Sequence, residues 1–158
     1  MGVWILNSRF CIMKIRLAKK WEEKKLSEIV KKNYSDLYAW LVRKEIWVAF
    51  KDLPIKPIYL VAEEKWEIKW FAGFSLSRMD YHIYNIFRVN VDPKYQNQGI
   101  GAQLIEKIIK TIKSYKGTFK AHMIMLTTTK PKFYEQFGFE KMMEYKKDDY
   151  LMNLKLAQ

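Results

Sequence analysis

Gln96, Gly99 and Gly101 are the residues whose types and spacing most directly suggest chemistry. They lie in the stretch Val89-Asn90-Val91-Asp92-Pro93-Lys94-Tyr95-Gln96-Asn97-Gln98-Gly99-Ile100-Gly101-Ala102. Two glycines one residue apart stand where a polar turn gives way to the stripe Ile100, Leu104, Ile105, Ile108 and Ile112, which has helical spacing. A helix start leaves backbone N–H groups unpaired and carries the positive end of the macrodipole. Glycine there lets a ligand come close to the backbone. Such a place can cradle an anion, most naturally a phosphate or pyrophosphate. The competing reading is a strand-to-helix turn that needs glycine only for its dihedrals. Gly-x-Gly alone does not decide between them, because the third glycine of the dinucleotide fingerprint and the Gly-Lys-Ser/Thr ending of a P-loop are both missing.

The surrounding elements must position this turn. Residues 88–92 alternate polar and apolar, the period of a strand, and Pro93 stops the ladder because it has no N–H to donate. The helix should run over 99–115 and end at Lys116-Gly117. A strand over 119–126 follows, then a short helix over 130–137 with Pro131 in its first turn and Gly138 at its end. Residues 139–145 and 150–156 read as a hairpin across Asp148-Asp149. Upstream, 58–62, 67–76 and 81–91 read as an antiparallel meander with turns at 63–65 and 77–80. A helix between strands 81–91 and 119–126 is the crossover that parallel neighbours require.

Nearer the N-terminus, 14–19 suggests a first strand and 21–32 a helix with Trp21, Leu26, Ile29 and Val30 apolar. Ser35 and Asp36 suit the cap of a second helix from about Leu37, carrying Tyr38, Leu41 and Val42. Residues 45–53 are ambiguous and close at Pro54 and Pro57. Residues 1–12 read as an irregular tail, with Met13 an alternative start, and 13–158 as one domain without repeat or linker. The class is α+β: a mixed, mostly antiparallel sheet flanked by helices.

The whole string Val-x-Pro-x-Tyr-Gln-x-x-Gly-Ile-Gly, followed by an Ile/Leu helix, resembles the signature of the GNAT superfamily of acetyl-CoA-dependent N-acetyltransferases. That signature is Arg/Gln-x-x-Gly-x-Gly/Ala, matched by Gln96, Gly99 and Gly101. A second family landmark follows in order, Phe133-Tyr134-Glu135-Gln136-Phe137-Gly138-Phe139. The resemblance covers about residues 58–145 well and the N-terminal third in outline. It implies a GNAT-like fold whose central parallel strands splay around the cofactor, and one domain that transfers acetyl from acetyl-CoA to a primary amine by direct attack. The loop Gln96, Asn97, Gln98, Gly99, Ile100, Gly101 and Ala102 would hold the coenzyme A pyrophosphate. Val89, Asn90 and Val91 would pair with the pantetheine amides at a bulged strand end. Tyr134 stands at the family's general acid, and a phenol of pKa near 10 can protonate a thiolate of about 8.5 in a nearly balanced transfer. Thr127 stands where many members have a cofactor-contacting Asn. The competing reading of Tyr134 is a packing aromatic.

No base is assigned. Members often carry Glu or Asp near Phe87 or Arg88, and neither residue is acidic. His82 and His122 read as structural, while Glu64, Asp80 and Asp149 fall in expected turns as solvated groups. A water chain ending on backbone carbonyls or Asn85 is a further candidate. Trp66 and Trp70 share a strand face, where they would line an acceptor pocket or, the preferred reading, pack in the core.

The net charge is +12, and 49% of residues are hydrophobic, enough for a full core. The lysines are spread along the chain, which favours a basic surface over a nucleic-acid-binding arm and would help attract coenzyme A. One cysteine, Cys11, rules out an internal disulfide, and two distant His with one Cys support no metal site. No apolar run reaches membrane-spanning length; a cytoplasmic protein is expected, acting on a small-molecule or protein amine, with a homodimer left open. The alternatives are transfer of another acyl group, a non-catalytic coenzyme A-binding sensor or assembly module, and a basic nucleic-acid-binding protein.

Overall fold

The computed structural model describes residues 3–7, 11–115 and 119–157. The expected helix end at Lys116-Gly117 lies outside these. Among the described residues the strands are β1 (Val3–Asn7), β2 (Cys11–Leu17), β3 (Ile58–Glu64), β4 (Glu67–Leu76), β5 (Ile83–Val91), β6 (Met123–Thr128), β7 (Glu140–Lys146) and β8 (Asp149–Lys155). The helices are α1 (Glu23–Asn33), α2 (Asp36–Val48), α3 (Ile100–Lys113) and α4 (Pro131–Glu135). The strands form one sheet in the order β1-β2-β3-β4-β5-β6-β8-β7. Every neighbouring pair is antiparallel except β5 and β6, the parallel pair joined through α3.

Two apolar cores lie on opposite faces of this sheet. On one, Ile100, Leu104, Ile105, Ile108 and Ile112 of α3 pack with Leu60, Ala62, Trp70, Ala72, Tyr84 and Ile86. On the other, Leu26, Ile29 and Val30 of α1 and Val42 and Ile46 of α2 pack with Tyr59, Val61 and Phe71. The alternation 60/62 against 59/61 is the strand period read out as two layers. Gly73 is required on the second face: a Cβ there would come within 2.6 Å of the Phe87 ring and 2.8 Å of the Tyr59 ring. Gly73→Ala must push these rings apart, so a loss of about 1–3 kcal/mol is expected, read as a lower urea midpoint at unchanged m. An unmoved midpoint would show that the rings are free to yield.

Several expectations need correction. Residues 3–7 are no irregular tail: β1 pairs with β2, from Val3 opposite Ile15 to Asn7 opposite Cys11. Trp21 is not on the buried stripe of α1 but in a 3-10 turn, Lys20–Glu22, and is 74% exposed. The ambiguous 45–53 stretch begins as the last turn of α2, whose buried stripe is Ala39, Val42 and Ile46, not Tyr38 and Leu41. Ser35 does cap α2, accepting from the Tyr38 N–H at 3.4 Å. The β3–β4 turn is two residues, Lys65 and Trp66, both at positive φ (49° and 67°), the primed geometry that suits hairpin twist. Trp66 therefore leaves the strand and is 92% exposed, while Trp70 is fully buried; they share no pocket wall. Glu64 is not simply solvated, since it pairs with Lys69.

Candidate active site

β5 and β6 pair over three positions only, Ile83–Met123, Tyr84–Ile124 and Asn85–Met125. Beyond Asn85 the two strands part. β5 runs on to Val91 with β4 on its other side, and β6 runs on to Thr128 paired with β8. The sheet thus has an open cleft between its two central parallel strands, and the edge of β5 facing it keeps its backbone groups free of the ladder.

The far end of β5 is also bulged. Phe71 faces Asn90 and Gly73 faces Phe87, so two steps on β4 span three on β5, and Arg88 stands at φ 55°. A bulge shifts the inside–outside register by one residue. Before it, Tyr84 and Ile86 belong to the α3 core and Phe87 packs on the other. After it, the odd residues Val89 and Val91 pack on the α3 core. Arg88 is carried to the same side as Phe87, where its Nε and Nη2 donate to Glu45 Oε2 and Oε1 at 2.8 and 2.7 Å. The Glu45 hydrogen bonds hold the Arg88 pKa above its ordinary value.

The loop from β5 to α3 is tied down from below. Asp92 is buried; it accepts from Lys32 Nζ at 2.6 Å and from the Lys94 N–H at 3.1 Å. Asn33 Nδ2 donates to the Val91 carbonyl (2.9 Å) and to Asn90 Oδ1 (3.2 Å). Gln96 Nε2 donates to Asn33 Oδ1 (3.1 Å) and reaches the Val91 carbonyl at 3.4 Å. Tyr95 donates to Glu67 Oε2 at 2.7 Å, which pushes its pKa up to about 12. The Gln96 side chain therefore serves the loop's shape. Asn97, at φ 61°, and Gln98 are exposed, and Gly99 caps α3 at φ 71° with nothing within 4 Å of a Cβ built there. No side chain caps α3 and no acidic residue lies in its first turn, so the N–H groups opening the helix face an unencumbered space. Ile100 contributes only backbone, since its side chain is in the core; Gly101 and Ala102 are half-buried.

The α4 segment meets the same place. A Cβ on Gly101 would touch Phe133 Cζ at 3.5 Å, and Phe133 stacks edge-on against Tyr134 at 4.9 Å. Tyr134 is 7% exposed, and burial is the main reason its pKa is raised. The hydroxyl therefore stays protonated to higher pH than an ordinary phenol. Thr127 is exposed on β6 opposite Leu151, while Thr128 Oγ1 accepts from the Lys130 N–H at the entry to α4. His82 and His122 stack at 4.6 Å beside the start of the β5–β6 pairing, away from the cradle. Among the described residues no group of three His, Cys, Asp or Glu side chains could hold a metal, and no helix is long and apolar enough to cross a membrane.

Sequence reasoning missed Asn33, Lys32 and Glu45, which come from α1 and α2 onto β5 across gaps of 58, 60 and 43 residues. Asp92 was within reach of it, as the acidic residue opening the signature loop. Its burial alone would raise the carboxyl pKa, but the Lys32 and Lys94 contacts outweigh this and hold it below its ordinary value. A depressed pKa stabilises the fold above the unfolded value of about 3.9, and this is lost as pH falls through the lower folded value. The urea midpoint of the parent should therefore fall more steeply than that of Asp92→Asn below about pH 4; parallel curves would remove Asp92 from the acid transition.

A mixed sheet with a parted parallel pair, a bulged strand and an uncapped helix at the mouth of the cleft defines the GNAT acetyltransferase architecture. The family model for the acetyltransferase (GNAT) domain matches residues 55–141, and the chain belongs to this family. Among solved structures, PaiA N-acetyltransferase from Thermoplasma acidophilum in complex with coenzyme A aligns over 91% of this chain and 99% of its own (TM-score 0.70, 20% identity). The GNAT family N-acetyltransferase YhbS from Escherichia coli in complex with CoA aligns over 97% and 86% (0.75, 18%). A GNAT family acetyltransferase from Staphylococcus aureus Mu50 aligns over 92% and 99% (0.71, 18%). At these identities the likeness concerns the fold. No curated protein matches the chain by sequence.

Proposed function

We propose that the chain is an N-acetyltransferase that moves acetyl from acetyl-CoA to a primary amine by direct attack in a ternary complex. The observation that carries this reading is the parting of β5 and β6 after Asn85 and Met125, with the open, uncapped glycine turn at its mouth. The residues present fit coenzyme A. The N–H groups opening α3, from Gly99 to Ala102, suit its pyrophosphate. The edge of β5 over Val89, Asn90 and Val91 suits an arm with amides of its own, in the manner of an added strand, with the Val91 carbonyl already accepting from Asn33. Acetyl-CoA supplies an acyl group already activated as a thioester. The chain's part is to hold the loop rigid through Asp92, Asn33 and Gln96, to place the acceptor nitrogen within reach, and to donate from the Tyr134 hydroxyl to the departing sulfur. Thr127 is proposed as a lesser contact.

A non-catalytic coenzyme A-binding module is the second reading, favoured by Arg88 standing on β5 where an acid would serve as base. Calorimetric titration of the full chain with acetyl-CoA tests both. Micromolar binding is expected, and thiol release with an amine acceptor then separates enzyme from module. Absence of binding at low salt would overturn both and leave the glycine turn as a strand-to-helix connection.

A further inference from the structure

On the α1–α2 face, beside the β5 bulge, lies a cavity of about 360 Å³ whose walls include Glu45, Val48, Pro57, Tyr59, Phe87 and Arg88. Its size falls in the range of small-molecule sites. The polar equipment is sparse and specific. Glu45 and Arg88 form a two-pronged pair at 2.7 and 2.8 Å, with 41% and 32% of their side chains exposed, so both remain reachable from the cavity. That pairing uses Arg88 Nε and one hydrogen of Nη2, leaving the Nη1 donors, and it leaves each Glu45 oxygen a second lone pair. The Tyr59 hydroxyl is buried without a hydrogen-bond partner. The remaining wall is apolar apart from Ser75.

We infer that this cavity takes the acyl acceptor, and that the acceptor is an apolar α-amino acid, its ammonium on Glu45, its carboxylate on Arg88 and its side chain against Val48, Pro57 and Phe87. For transfer the ammonium first gives one proton to water; the neutral nitrogen then bonds to the thioester carbonyl carbon as the C–S bond breaks, the thiolate takes a proton from the Tyr134 hydroxyl, and the second nitrogen proton restores that hydroxyl through water. The inference rests on the acetyltransferase reading. A wall with one negative and one positive group, net zero, is best answered by a ligand that is also net zero with its two charges a few ångströms apart. A simple monoamine leaves the outward donors of Arg88 unanswered. A polyamine finds a single carboxylate that is already paired, on a protein of net charge +12. A ligand filling the cavity would shut water off from the Arg88 donors and the Glu45 lone pairs, so one that leaves them unpaired is disfavoured. The bulge makes the site: without the extra residue, Arg88 would lie on the α3 side of β5, away from α2.

The test uses the full chain with saturating acetyl-CoA and follows thiol release with L-leucine and L-phenylalanine, their methyl esters, the matching carboxyl-free amines, and spermidine. The free amino acids should show kcat/KM about tenfold or more above the esters and amines. In Arg88→Gln that preference should vanish, in Arg88→Lys it should survive in part, and in Glu45→Gln the amino acid KM should rise about tenfold or more. Calorimetric binding of L-leucine to the chain saturated with coenzyme A should weaken in parallel, with the acetyl-CoA Kd of each variant within about twofold of the parent as the control for folding. Equal or better turnover of the plain amines, the esters or spermidine, or a preference that persists in Arg88→Gln, overturns the inference. If acetyl-CoA binds and amino acids neither bind nor react, this inference alone falls; if acetyl-CoA does not bind, the acetyltransferase reading falls first.

Discussion

Tyr134→Phe should lower turnover by about a hundredfold to ten-thousandfold while leaving the acetyl-CoA Kd unchanged. The ring is what the fold needs: Tyr134 is held edge-on by Phe133 at 4.9 Å and by Phe139 at 6.0 Å, and phenylalanine keeps those contacts. What is lost is the hydroxyl alone. Burial first, and the nearby Tyr34 second, raise the Tyr134 pKa, so the group is protonated throughout the working range. In the proposed role the phenol would stabilise the departing sulfur by donating as charge develops, and the variant would release a bare thiolate. The alkaline limb of the parent's rate profile should accordingly show no loss from Tyr134 up to at least pH 10 or so. Single-turnover thiol release checks the first part, and an unchanged rate in Tyr134→Phe would take the residue out of the mechanism.

Gly101→Glu should weaken acetyl-CoA binding by about a hundredfold or more with little change in thermal stability. The two halves of this expectation have different causes. A Cβ at Gly101 meets only Phe133, at an ordinary 3.5 Å, so the backbone accepts a side chain. A carboxylate in the first turn of α3 is welcome to the helix, worth about 0.3–1 kcal/mol. The N–H groups that would welcome it are the ones proposed to bind the pyrophosphate, and the added charge would repel that anion. Calorimetry with acetyl-CoA and a melting curve on the same sample read both halves. Undiminished affinity at a preserved Tm would place the cofactor elsewhere than at this turn.

The parts of the site that were legible in the sequence are those written within one continuous segment. The glycine turn, α3 and the parallel crossover follow from a change of hydrophobic period over 88–112, and Tyr134 follows from its setting between Phe133 and Phe139. What the sequence left dark is long-range. Glu45 faces Arg88 only because α2 runs three turns beyond Ser35 and because β5 gains a residue at its bulge; neither local propensity nor spacing announces the pair. Asn33 is an unremarked polar residue at the end of α1 until α1 is laid across β5. The misplacement of Trp66 has a local cause. Placing the turn at 63–65 instead of at Lys65-Trp66 put a loop residue on the strand, a register error that a two-residue hairpin with no glycine invites.

The bulge at Arg88 makes β5 behave like a message with a change of reading frame. Upstream of it the even-numbered residues address the α3 core, and downstream the odd-numbered ones do. Most surface strands tolerate the gain or loss of a residue at their ends, because the error stays where it is made. In β5 the extra residue keeps both frames in place: were all its residues paired regularly, Val89 and Val91 would turn to the α1–α2 layer and Asn90 into a core that has no partner for it, whereas deleting Arg88 would leave them where they are and remove only the pair with Glu45. The strand that borders the cleft is thus held to one register by the two layers it serves.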